Sequence, residues 1–223
     1  MHFLNTLGVD LDKLIDSALR FKRGEDRSQP LAGKSVALVF FNPSLRTRAS
    51  MQVGIYELGG NAVVLEPGGT SWTLEHREGA MMDGDKTEHV AEFVRVLERY
   101  CVAIGVRTFA KLKDWQEERT DPILSAFAKY ASVPIINLES AMHHPCQAMA
   151  ECRLLQRQIH RGYPYQDLVL RLASTPPIAR NSSAVTHLIG ARNWNDTTNW
   201  APYLSICVSL EYSISRPFSP SSG

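Results

Sequence analysis

The 223-residue chain is 44% hydrophobic and 21% charged, with a formal net charge of +1 at pH 7. That composition suits a globular protein with a real core, and it gives no global attraction for nucleic acid or an anionic membrane. No apolar run approaches the roughly 20 residues that span a bilayer. Met1-His2-Phe3-Leu4-Asn5 lacks the charged-then-apolar pattern of a signal peptide, so none is expected. Cys101, Cys146, Cys152 and Cys207 show no two-residue metal or redox spacing. They point to free thiols in a reducing cytoplasm.

Residues 11–23 place apolar side chains at helical spacing, and Pro30 and Gly33 then break the chain. Ser35 to Phe41 is a short apolar, β-branched run, the pattern of a buried strand. Asn42-Pro43-Ser44 reads as a turn and helix cap, opening a helix to about Leu58. Ala62 to Leu65 is the next strand. The Gly-rich, polar stretch from Glu66 to Asp85 reads as a long loop. An amphipathic helix follows over Glu88 to Tyr100, then a strand over Cys101 to Val106. Asp121 to Ala131 is a further helix, and Val133 to Leu138 a fourth strand. A last helix runs from near Pro145 to about Gln158.

Strand and helix therefore alternate from residue 35 to 158. The pattern predicts an α/β fold, a parallel sheet with helices on both faces. Such sheets bind ligands beyond the carboxyl ends of their strands. From His160 to Gly223 the chain is lysine-free and rich in Ser, Pro, Asn and Thr, and no sustained period appears. No fold is assigned there.

Three motifs sit just after strands. In Ser44-Leu45-Arg46-Thr47-Arg48, a helix N-terminus, two hydroxyls and Arg46 can cradle an anion. The same residues also fit a capped helix with surface arginines. Gly105-Val106-Arg107-Thr108 points an arginine into the same crevice, or provides a strand-end ion pair. In His144-Pro145-Cys146-Gln147, His144 can donate to an oxyanion and Gln147 can bind an amide. A histidine there also fits a purely structural helix start. Cys146 has no flanking base beyond His144 and is disfavoured as a nucleophile. A ligand held by all three motifs carries a phosphate and a carbonyl.

Phe41-Asn42-Pro43-Ser44-Leu45-Arg46-Thr47-Arg48 resembles the carbamoyl-phosphate signature of the aspartate and ornithine carbamoyltransferases. His144-Pro145-Cys146-Gln147 is similar to their His-Pro-x-Gln motif, and the match runs from about Asn5 to about Gln158. Asn42, and Met82-Asp83-Gly84-Asp85 with Glu88-His89, resemble the branch acting on N-acetylornithine or N-succinylornithine. The resemblance implies that Ser44, Leu45 (through its backbone), Arg46 and Thr47 hold the phosphate. It implies that Arg107, His144 and Thr47 polarise the carbamoyl carbonyl, and that Gln147 holds the carbamoyl nitrogen. Glu139 and Thr87 are implied as contacts to the acyl-amino acid. Thr87 matches neither acyl-specific type, which leaves the acyl group open. Trp72 is implied to reach the site of a neighbouring subunit in a homotrimer. The implied activity transfers a carbamoyl group from carbamoyl phosphate to the δ-amine of an N-acylornithine, in cytoplasmic arginine synthesis. It needs no metal or organic cofactor.

The family's second domain, with its His-Cys-Leu-Pro motif, has no counterpart in the sequence. The expected division is therefore a carbamoyl-phosphate-binding domain over 1–158 and an atypical tail over 159–223. The break is expected to reflect a truncated gene or a shifted frame. The alternative function is an inactive anion-binding fragment that serves only as an oligomerising module.

Overall fold

The computed structural model describes residues 2–160, apart from positions 6, 8, 9, 83, 111 and 112. The expectations for the tail from residue 161 onward, and for a missing second domain, lie outside the described residues.

Helix α1 (Leu11–Lys22) begins at Asp10, whose Oδ1 accepts from the Lys13 N–H at 3.0 Å. Its buried stripe is Leu14, Ile15, Ala18 and Leu19. Strand β1 (Ser35–Phe40) leads to α2 (Arg46–Glu57) and β2 (Asn61–Leu65). Two short strands follow, β3 (Leu74–Glu75) and β4 (Glu88–His89), then α3 (Val90–Leu97) and β5 (Ala103–Arg107). The described chain ends with α4 (Trp115–Glu118), α5 (Pro122–Tyr130), β6 (Ile135–Glu139) and α6 (Pro145–His160).

The main sheet has the order β2-β1-β5-β6, and every pair is parallel. Side chains alternate between its faces. Val36, Leu38 and Phe40 of β1 pack with Leu14 and Ile15 of α1, Met51 and Ile55 of α2, and Met149 of α6. Ala37 and Val39 pack on the other side with Val90 and Val94 of α3, and Leu124 and Phe127 of α5. The expected architecture, helices on both faces of a parallel sheet, is the observed one. Beyond β6, the Phe3 N–H donates to Ile135 O and the Asn137 N–H to Phe3 O, both at 2.8 Å. The N-terminal segment thus pairs part of that edge.

Four details differ from the sequence reading. Leu45, and not Ser44, holds the N-cap position of α2, and no side chain caps it. The turn before α2 is held from β5 instead of by its own hydroxyl. Helix α3 starts at Val90 because Glu88 and His89 pair with β3, and His89 Nδ1 accepts from the Ala91 N–H at 3.1 Å. The stretch from Glu66 to Asp85 is anchored at Glu75, which is 3% exposed. Glu75 Oε1 accepts from the N–H groups of His76 and Arg77 at 2.8 and 2.9 Å, and Oε2 pairs with Arg77 Nη2 at 2.8 Å. The Arg77 guanidinium holds that carboxyl well below the usual carboxylate range. Helix α4 has no sequence period because it is one turn long; its signal is Asp114, whose Oδ1 accepts from the Gln116 N–H at 2.9 Å.

Gly105 lets β5 lie under Leu138. A Cβ there would stand 3.0 Å from Leu138 Cδ1 and 3.2 Å from Cδ2, and Leu138 is 1% exposed. Gly105→Ala is expected to destabilise the fold by about 1–3 kcal/mol in urea denaturation. An unchanged midpoint would show that Leu138 has room to move aside.

Candidate active site

The register places Phe40, Arg107 and Glu139 side by side at the carboxyl ends of β1, β5 and β6. Arg107 is 8% exposed. Its Nε and Nη2 donate to Glu139 Oε2 at 3.1 and 2.8 Å, and its Nη1 donates to the carbonyls of Asn42 and Pro43 at 3.2 and 2.9 Å. Asn42 Oδ1 accepts from the Phe109 N–H at 2.6 Å. The guanidinium also lies over the Phe109 ring, 5.0 Å from its centroid. The turn before α2 is thus tied to the end of β5 at three backbone atoms.

That tether presents the first turn of α2. With no side-chain cap, its backbone N–H groups are not taken by a cap hydroxyl or carboxylate. Ser44 and Thr47 are half-buried there, while Leu45 and Arg46 are exposed. An open cleft of about 470 Å³ lies against this turn, bordered by Pro43, Ser44, Arg48, Gln52 and Glu66. Arg48 and Glu66 form an ion pair across it.

On the opposite side, His144 Nε2 lies 3.8 Å from Glu139 Oε2. Its Nδ1 accepts from the Gln147 N–H at 3.4 Å. A backbone N–H can only donate, so the neutral ring carries its proton on Nε2, facing Glu139. Burial lowers the His144 pKa below 6.5; the nearby Arg107 charge lowers it further, and Glu139 opposes the shift. At pH 7 the ring is therefore a neutral donor. Cys146 is 3% exposed.

The structure gathers Ser44, Leu45, Arg46, Thr47, Arg107, Glu139, His144 and Gln147 at one edge of the sheet. Trp72 and Thr87 stand apart, on the segment that carries β3 and β4. Trp72 is 58% exposed, and its Nε1 donates to Glu88 Oε2 at 2.8 Å. Thr87 is exposed beside Glu88. Among the described residues, no hydrogen bond joins either to the Arg107 group. Sequence reasoning missed the Glu139 partnership with Arg107 and the Asn42 bond to Phe109, whose partners lie 32 and 67 positions apart.

A family model described as the carbamoyl-P binding domain of aspartate/ornithine carbamoyltransferase matches residues 2–157. The chain belongs to this family. N-acetylornithine carbamoyltransferase of Xanthomonas campestris pv. campestris is 51% identical over 166 residues, which cover 73% of this chain and 48% of that protein. N-succinylornithine carbamoyltransferase of Bacteroides thetaiotaomicron is 42% identical over 118 residues, covering 53% and 37%. A crystal structure of acetylornithine transcarbamylase complexed with acetylcitrulline matches with a TM-score of 0.68 at 50% identity, over 72% of this chain and 48% of that one. The chain thus spans about half the length of the carbamoyltransferases it matches.

Two outcomes are expected of this site. Arg107→Ala strands a largely buried carboxylate and is expected to cost about 3 kcal/mol in urea denaturation; a loss under about 1 kcal/mol would place the pair among weak surface bridges. The His144 ring is expected to titrate below 6.5 by NMR. Its folded pKa is lowered, so the stability it contributes is complete above pH 6.5 and is lost as pH falls from there through the folded value. A midpoint above 6.5 would show that Glu139, and not burial, governs the ring.

Proposed function

We propose that this carbamoyltransferase-family chain binds carbamoyl phosphate at the carboxyl edge of its sheet and presents the carbonyl to the δ-amine of an N-acylornithine. The observation that carries the reading is the convergence of the uncapped start of α2, Arg107 and His144, from three parallel strands, on one edge. The phosphate lies at the first turn of α2, against Ser44, Arg46, Thr47 and the backbone of Leu45. The carbonyl oxygen lies between Arg107 and the Nε2–H of His144, with the Thr47 hydroxyl beside it. Gln147 takes the carbamoyl nitrogen.

Arg107 has five N–H donors, and among the described residues four hydrogen bonds engage it. The fifth donor and His144 Nε2–H supply an oxyanion pair. As the amine nitrogen bonds to the carbonyl carbon, charge builds on the carbonyl oxygen, and each such donor is worth about 3–4 kcal/mol at that moment. The C–O bond to phosphate then breaks, the phosphate leaves with the proton shed by the amine nitrogen, and Arg46 and the helix N-terminus meet the departing charge. Glu139 and Thr87 are proposed to face the acyl-amino acid. Trp72, exposed on its excursion, is proposed to reach a neighbouring subunit in a cytoplasmic homotrimer. Acetyl is the preferred acyl group: relatives named for N-acetylornithine are 46–52% identical, and those named for N-succinylornithine 35–42%.

Calorimetric titration of the full chain with carbamoyl phosphate tests the donor site. Arg46→Ala is expected to weaken binding at least about tenfold, the value of one charge-assisted hydrogen bond to phosphate. Equal affinity in both proteins would remove Arg46 from the site. Adding acetylornithine then separates an enzyme, which forms acetylcitrulline, from a module that binds the donor without turnover.

A further inference from the structure

Asp121 stands directly before α5 and would ordinarily cap it. It makes no side-chain cap bond, and its backbone is left-handed at φ +47°, the sole positive-φ residue other than glycine among those described. Such a conformation is strained for a residue with a Cβ. The carboxylate, 9% exposed by residue, turns instead to the connection between β6 and α6. Its Oδ2 accepts from Ser140 Oγ at 2.7 Å, and its Oδ1 accepts from the Ala141 N–H at 3.0 Å.

Ser140 spreads that contact. Its Oγ accepts from the His143 N–H and from Asn137 Nδ2, both at 3.1 Å, and its own N–H donates to His143 O at 2.8 Å. Asn137, fully buried, also donates to Leu4 O at 2.9 Å. The turn is thus closed on itself at Ser140 and His143 and fastened to α5 by one carboxylate. Glu139 and His144 are the residues on either side of it.

We propose that Asp121 is a positioning residue: through Ser140 and Ala141 it locks the β6–α6 turn, and so sets the ring of His144 against Arg107 and Glu139. Its bearing on catalysis rests on the carbamoyl phosphate reading; its hold on His144 does not. A residue that served only to start α5 would be replaced well by glycine, which is at ease at positive φ. A clamp would not.

The test uses the full chain with 15N-labelled histidine, comparing Asp121→Gly, Ser140→Ala and Asp121→Asn. Asp121→Gly is expected to keep its far-UV circular dichroism while the His144 ring nitrogens shift toward mixed tautomers. Carbamoyl phosphate affinity is expected to fall about tenfold with it, the value of one charge-assisted hydrogen bond. Asp121→Asn keeps an oxygen for the Ala141 N–H and is expected to hold affinity within about threefold. Parent-like His144 signals in both Asp121→Gly and Ser140→Ala would overturn the proposal. Should Asp121→Gly fail to fold, Ser140→Ala decides alone, with the same two outcomes for His144. If the parent binds no carbamoyl phosphate and the ring still shifts, the positioning role stands and the donor-site reading falls.

Discussion

Arg107 carries a charge that it cannot shed, at a strand end only 8% exposed. Burying such a group costs several kcal/mol unless it is paired and hydrogen-bonded. Glu139 supplies the charge and takes two donors through one oxygen, and the carbonyls of Asn42 and Pro43 take two more. Satisfying one cation therefore forces three separate pieces of chain to meet: the turn before α2, the end of β5 and the end of β6. The start of α2 inherits its place from that requirement.

The parallel sheet makes the meeting possible. All four strands end at the same edge, so residues just past them converge although they are a hundred positions apart. The helices fill the two faces and leave that edge open. The segment from Glu66 to His89 obeys a different logic. It leaves the main sheet and pairs β3 with β4, with Glu75 as its buried anchor. A carboxylate ringed by backbone N–H groups and Arg77 can order a polar stretch that has little apolar surface of its own.

Several residues carry two readings at once. Arg107 is a strand-end ion-pair partner, and His144 accepts a backbone N–H at the start of a helix. These structural duties do not compete with chemistry. The ion pair aims the guanidinium, and the bond to Nδ1 fixes which ring nitrogen carries the proton. Ser44 shows the reverse: the cap it was expected to provide is absent, and Leu45 stands at the N-cap position of α2 with no side-chain cap bond.

Hydrophobic period and chain order were enough to read α1, the four strands of the sheet, α5 and α6, because burial on one stripe or on both faces writes a repeat into consecutive residues. The strand-end motifs were legible for the same reason: once the strands are placed, the residues immediately after them must stand at one edge. The beginnings of α2 and α3 were less legible, since each depends on a partner elsewhere, Arg107 for the turn before α2 and Leu74-Glu75 for the residues before α3. The polar pairings had no sequence signal at all. Glu139 meets Arg107 across 32 positions, Asp121 meets Ser140 across 19, and Arg107 meets Asn42 across 65. The order of residues alone dictated the layers and the edge. Which charges and amides close on one another there was settled by folding, because a hydrogen bond depends on position in space and leaves no period along the chain.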